Sequence, residues 1–138
     1  MSGPHSAHLL AALLAAAGTT HLVAPGPFDQ IVPRQLPGSA RAYTYTSGVA
    51  ELAVAALLAA PRTRQLGGTA AAALFVAVFP ANLQMAWDWR HRSAPARAIA
   101  YGRLPLQAVL IRQALRVATG PAGGPSLTRH AGGGARGE

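Results

Sequence analysis

The chain has 138 residues, 51% hydrophobic and only 12% charged, with twelve arginines, four acids, no lysine and no cysteine. One compact unit is the expectation for that length, and a charged fraction about half the ~25% usual in soluble chains points to a membrane rather than a water-facing surface. Without cysteine there are no disulfides, thiolate metal sites or thiol relay, and the net charge of +8 comes from short arginine groups between apolar runs, a pattern that fits lipid headgroups on two faces and not nucleic acid.

No residue before Asp29 carries a formal charge, and the stretch from Gln65 to Trp87 is again free of Asp, Glu, Lys and Arg. A helix needs about 20 residues to cross a ~30 Å hydrocarbon core, or ~17 where the bilayer is thin. Four runs approach that length, over residues 6–24, 43–60, 68–87 and 101–119. The first is stopped by Pro25 and Pro27. It is read as a retained span rather than a cleaved leader, because Met1 to His8 has no Lys or Arg and the apolar character continues past the small residues Ala15 to Gly18. Pro61 stops the second run, and Gly67 and Gly68 open the third. Arg112, Gln113 and Arg116 make the fourth the least apolar, with Pro105 expected in its first turn and Gly120 and Pro121 at its end.

The expected fold is therefore all-α: an integral membrane four-helix transmembrane bundle over residues 1–120, followed by a flexible, disordered Gly-rich tail over 121–138. A soluble helical bundle is the competing reading, since alanine-rich runs are only mildly hydrophobic. Abundant Ala and Gly favour close helix approach in lipid. Four antiparallel spans put both termini and the Arg62–Arg64 turn on one side, here called Y. The Pro-rich connection from Pro25 to Ala42 and the connection from Asp88 to Ala100 then lie on the other side, X. All five Trp and Tyr residues (Tyr43, Tyr45, Trp87, Trp89 and Tyr101) fall at the X interface, where amphipathic rings prefer to sit. Arginine counting barely separates the two sides, and the tight Arg62-Thr63-Arg64 turn favours cytoplasmic termini in a multi-pass cell-membrane protein.

The candidate polar residues are distributed one helix at a time, His21, Glu51, Asn82 and Gln107, with Arg103 reaching inward from the X interface of the fourth run. At ~1.5 Å of rise per residue they share the X-side half of the membrane or its middle, and so can face one cavity. Glu51 is the most telling, because a carboxylate at the centre of a spanning helix costs ~2.5 to 3.5 kcal/mol to insert and needs a proton, a hydrogen bond or the guanidinium of Arg103 to offset that. Each residue also has a plainer role. Asn82 and Gln107 suit interhelical hydrogen bonding, His21 a hydrogen-bonded or interfacial histidine, and Arg103 a snorkelling anchor. Pro80 removes a backbone donor just before Asn82, and a kink there would open a pocket. No metal-ligand cluster and no Gly-rich phosphate turn is present.

The stretch His21-Leu-Val-Ala-Pro25 is followed by Phe28, Ile31-Val32-Pro33, Leu36-Pro37 and Ser47-Gly48 with Glu51. Then come Pro61-Arg62-Thr63-Arg64, Phe79-Pro80-Ala81-Asn82 and Arg103-Leu104-Pro105-Leu106-Gln107. In that order, over roughly residues 9 to 118, these motifs resemble DoxX-like membrane proteins. The resemblance implies a four-helix transmembrane bundle related in outline to the vitamin K epoxide reductase architecture without its cysteines. It also implies a Pro-rich loop over the X mouth, and an association with quinone-linked oxidoreductase assemblies. Where many relatives have an aromatic residue after the histidine, this chain has Leu22.

Two functions follow as expectations. In the first, the chain is a redox-associated membrane subunit that binds a quinone or similar lipophilic molecule, with Glu51 and His21 exchanging protons and Asn82, Arg103 and Gln107 donating hydrogen bonds. In the second it is a non-catalytic module whose small-residue faces, such as Ala53 to Ala56 and Ala70 to Ala73, bind a membrane redox partner or a second copy. Whether the chain is itself an enzyme is left open by the residues.

Overall fold

The computed structural model describes residues 4–120, and the tail expected to be disordered lies outside the described residues. The described residues are all helical: α1 (Pro4–Val23), α2 (Gly26–Asp29), α3 (Ala40–Ala59), α4 (Arg64–Asp88) and α5 (Ala94–Thr119). Three of them, α1, α3 and α4, are long and apolar enough to cross a membrane. Arg97, Arg103, Arg112 and Arg116 keep α5 from the same standard.

The long helices pack most closely as α1 with α3 and α4 with α5. Helix α3 also packs on α4, and α1 touches α5 more lightly. Each runs opposite to its neighbours. Small residues set the spacing. A β-carbon added to Gly67 would lie 2.7 Å from the Leu58 nitrogen of α3, and one added to Gly68 would lie 2.5 Å from the Ala118 nitrogen of α5. Two consecutive glycines on α4 thus admit the backbones of two different neighbours, and the close approach adds dispersion contact along both.

The inward faces show one spacing twice. Ala7, Ala11, Leu14 and Gly18 are buried on α1, and His21 continues their row; Thr44, Gly48, Glu51, Ala55 and Leu58 are buried on α3. Both rows step by four, three, four and three, the repeat of a helix stripe facing one partner. On α5, Ala100, Gln107 and Ala114 repeat every seven residues. Meanwhile Leu9, Val23, Val49, Leu66, Val76, Leu83 and Trp87 are exposed. Large apolar side chains thus lie on the outside of the bundle as well as inside it, where Leu14, Leu58 and Phe75 pack among alanines and glycines.

The fourth run differs in extent from its expected bounds. Helix α5 begins at Ala94, with Pro95 in its first turn, so Pro105 stands inside the helix instead of opening it. Helix α4 likewise starts at Arg64, ahead of Gly67 and Gly68. In both cases the helix continues beyond the apolar run, because backbone hydrogen bonding does not stop where hydropathy falls. On Y, Arg64 donates from Nε to the Leu58 carbonyl at 3.2 Å and Thr63 Oγ1 donates to the Leu57 carbonyl at 2.9 Å. These cover carbonyls that the end of α3 leaves without a helical partner.

Two apolar clusters occupy the ends of the fold. The larger, with Leu10, Leu14, Leu58, Ala71 and Phe75, fills the Y half. The smaller joins Met85, Ala86 and Ala100 near X, with Ile31, Trp89 and Leu104 against it. The polar side chains lie between them.

Candidate functional site

Helices α1 and α3 cross at two glycines. A β-carbon on Gly48 would meet His21 Cβ at 2.9 Å and the Gly18 carbonyl at 3.0 Å. This close approach brings His21 and Glu51 together, and His21 Nδ1 and Glu51 Oε2 share a hydrogen bond of 2.8 Å. Its proton comes from the imidazole or from the carboxyl, so the pair can hold a proton at either atom. Ser47, one turn earlier on α3, donates its hydroxyl to Glu51 Oε1 at 3.1 Å. With Glu51 only 7% exposed, these two bonds offset the cost of burying a carboxyl group at the middle of an apolar helix.

A second polar chain links α4 and α5. Arg103 Nε donates to Asn82 Oδ1 at 3.1 Å. Asn82 Nδ2 donates to Gln107 Oε1, and Gln107 Nε2 donates to the Phe75 carbonyl. All three bonds point the same way, from guanidinium to backbone carbonyl, an order in which each polarises the next. The carbonyl of Phe75 lies one residue before that of Val76, from which Pro80 withholds an N–H donor. Pro80 sits within the continuous helix α4, where Gln107 supplies a side-chain donor to the backbone one turn earlier.

The two units wall one cavity of about 210 Å³, lined by His21, Glu51, Asn82 and Arg103, by Thr44, and by apolar groups including Ala77, Val78 and Ala81 of α4. Four of the five sequence-predicted residues therefore share a cavity. Gln107, also predicted, is not among the lining residues and stands behind Asn82. Arg103 is bonded to Asn82 rather than Glu51 because α5 neighbours α4 and α1 and lies diagonal to α3.

The connection between α1 and α3 covers the X end. Phe28, Ile31, Val32, Pro33 and Leu36 of this segment line the cavity, and the Phe28 ring lies 4.0 Å from the His21 ring, tilted by 46°. An aromatic partner for the histidine is thus supplied from α2, seven residues away, although Leu22 follows it in sequence. The cover is held by Asp29, which accepts from Thr44 Oγ1 at 2.7 Å and from Arg41 Nε at 2.8 Å. The Thr44 bond, aided by Arg41 against a smaller opposing effect of burial, holds the Asp29 carboxyl below its ordinary range. Tyr43 fastens the far end by donating to the Pro37 carbonyl at 2.7 Å. Around this end, Arg90 and Arg92 lie over the rings of Trp87 and Trp89, at 4.2 and 4.9 Å.

Phe28, Thr44 and Ser47 lie outside the sequence-predicted set. Ser47 and Thr44 carry a legible signal, being four and seven residues before Glu51 on one helix face. Phe28 stands in the motifs that carry the resemblance, but its place beside His21 is set only by the folded connection. Among the described residues there is no group of three or more His, Cys, Asp or Glu able to hold a metal ion.

Residues 10–118 match the family described as Domain of unknown function (DUF8561). The chain belongs to this family. All of the cavity's polar residues fall within the DUF8561 domain, so the site is part of the matched region and not an appendage to it. No curated protein and no solved structure matches the chain.

Proposed function

We propose that this DUF8561 protein is a DoxX-like, multi-pass cell-membrane subunit whose four long helices form a transmembrane bundle, with both termini cytoplasmic. In this reading the cavity binds a quinone-like or other lipophilic small molecule in association with a membrane redox partner. One observation carries the reading: a proton-holding pair, His21–Glu51, and a donor chain starting at Arg103 line the same apolar-walled cavity among helices of which three are long and apolar enough to cross a membrane.

The residues fit a quinone ring. Its faces need apolar walls, which Val32, Ala77, Val78 and Phe28 supply, and its oxygens need donors. Arg103 uses only Nε among the described residues, leaving its terminal nitrogens to donate to a guest oxygen. His21 and Glu51 hold a proton at Nδ1 or Oε2 within reach of the cavity, so a guest that gains or loses protons finds an exchange partner without bulk water. When bound, a quinone would supply the two-electron chemistry that the chain lacks, with electrons drawn from the redox partner. Asn82 and Gln107 orient Arg103, and Phe28 shields the His21 ring on one side.

The alternative, a non-catalytic interaction module in which both polar units only lock helices together, draws on the same bonds and on the small-residue contacts. Titration of the full chain in nanodiscs with decylubiquinone separates the two. Saturable binding, weakened about tenfold or more in Glu51→Gln and in Arg103→Gln with helical content unchanged, is the expected result. Binding equal in wild type and both variants contradicts a cavity role.

A further inference from the structure

A second cavity, of about 430 Å³, opens on the X face. Its walls include Arg34, Arg92 and Gln30, and it shares Val32, Pro33, Leu36 and Tyr43 with the deeper cavity. The two spaces are therefore back to back, one polar and one apolar, with the same connection residues between them.

The charge in the outer cavity is positive and uncommitted. Its only carboxylate, Asp29, is occupied on both oxygens, by Thr44 and by Arg41. Arg34 makes no hydrogen bond or ion pair among the described residues, and Arg92 has only the Trp89 ring beneath its guanidinium at 4.9 Å. Two arginines without a counter-charge on one cavity wall attract an oxyanion, for which the planar guanidinium is suited.

We infer that the molecule held here is an amphiphile with a phosphate or carboxylate headgroup, seated at Arg34 and Arg92, whose apolar body passes Val32 and Leu36 into the cavity beneath Phe28. The inference rests on the reading of the deeper cavity as a ligand site, and narrows it to lipophilic molecules bearing an anionic head. Neither cavity alone accounts for such a guest. The outer one is mainly polar, with only the shared Val32, Pro33, Leu36 and Tyr43 as its larger apolar groups, and the inner one places the Glu51 carboxyl where an anion is least welcome.

The test uses the full chain in phosphatidylcholine nanodiscs, read by the fluorescence of Trp89 and Trp87 and corrected with empty nanodiscs. The probes are dodecyl phosphate, dodecanoate, neutral dodecanol, inorganic phosphate and decylubiquinone. The expected result is that one or both anionic amphiphiles bind about tenfold or more tightly than dodecanol and displace decylubiquinone. That advantage should vanish in the exposed-site double variant Arg34→Gln/Arg92→Gln, which still binds decylubiquinone. A preference for dodecyl phosphate assigns the head as phosphate, and the reverse assigns carboxylate. Loss of the response when anionic phosphatidylglycerol is added to the nanodisc assigns the source to bilayer lipid. The inference is overturned if the anionic probes bind no better than dodecanol, if their advantage survives the double variant, or if inorganic phosphate alone reproduces the response without displacing decylubiquinone. In those cases continued binding of decylubiquinone leaves the cavity reading standing. If no probe binds, both fall.

Discussion

Gly18 of α1 and Gly48 of α3 touch so closely that a β-carbon on Gly18 would lie 2.7 Å from the Gly48 carbonyl oxygen, and three residues beyond each of them His21 and Glu51 share a hydrogen bond of 2.8 Å. The same crossing therefore sets both the helix spacing and the proton-holding pair. Gly18→Ala must push the helices apart, because the clash is with backbone and no flexible side chain can yield. A loss of about 1–3 kcal/mol is expected, together with a weakened His21–Glu51 bond. Thermal unfolding in detergent measures the first, and the imidazole NMR signal of His21 the second. An unchanged midpoint and an unchanged signal would show that the crossing does not set the pair.

Gln107 and Arg103 belong to one hydrogen-bonded chain but should respond differently to mutation. Gln107→Leu leaves the buried Asn82 amide without its acceptor and the Phe75 carbonyl without its side-chain donor, at a cost of about 1–3 kcal/mol in stability. Arg103→Gln, at the cavity wall, should change thermal stability much less and decylubiquinone binding much more. Equal stability losses in the two variants would make Arg103 a structural element only.

The cover over X depends on an ionised Asp29. Its carboxyl titrates below the ordinary value of 3.8 because the Thr44 hydroxyl and the Arg41 guanidinium favour the charged form. For a lowered folded-state value, the stabilisation is complete above the unfolded value and disappears as pH falls through the folded one. Hydrogen exchange in the segment Pro25–Ser39, corrected for its intrinsic pH dependence, should therefore show constant protection from pH 7 to about 5 and lose it below about 4. Asp29→Asn should reduce protection throughout. Protection that is the same in wild type and variant at neutral pH would show that Asp29 does not fasten the cover.

The helical fold and the inward-facing polar residues were both largely legible in the sequence, for different reasons. Apolar runs of spanning length mark α1, α3 and α4 directly, and Glu51 was readable as buried because a lipid-facing carboxylate is costly. Helix ends were less legible: α5 extends back to Ala94 through a polar stretch, which hydropathy cannot register. The roles of Gly67 and Gly68 were hidden, since a glycine pair reads as a breaker until the neighbouring backbones of Leu58 and Ala118 are seen against it. The place of Phe28 beside His21 was equally hidden, because it depends on how the connection folds over the cavity. The choice of His21 over Arg103 as partner of Glu51 follows from helix order, which four runs alone do not specify.

Exposed Leu, Val and aromatic residues on helices long and apolar enough to cross a membrane predict how the protein partitions. It should remain in the membrane pellet after carbonate washing and require detergent for extraction. A monodisperse form recovered without detergent would contradict the membrane reading. A reporter fused after Glu138 that is active only outside the cytoplasm would reverse the proposed orientation.

The most direct test of the cavity as a ligand site is native mass spectrometry of the protein extracted from its own membranes, comparing wild type with Glu51→Gln. The substitution keeps the size of the side chain and one hydrogen-bonding oxygen, so folding and insertion should persist. The expected spectrum shows wild type carrying a lipid-soluble molecule in stoichiometric amount, and Glu51→Gln without it at the same oligomeric state. Wild type with no bound small molecule, as a stable oligomer whose thermal stability alone changes in Glu51→Gln, would contradict the ligand-site reading and make the polar residues a lock between helices.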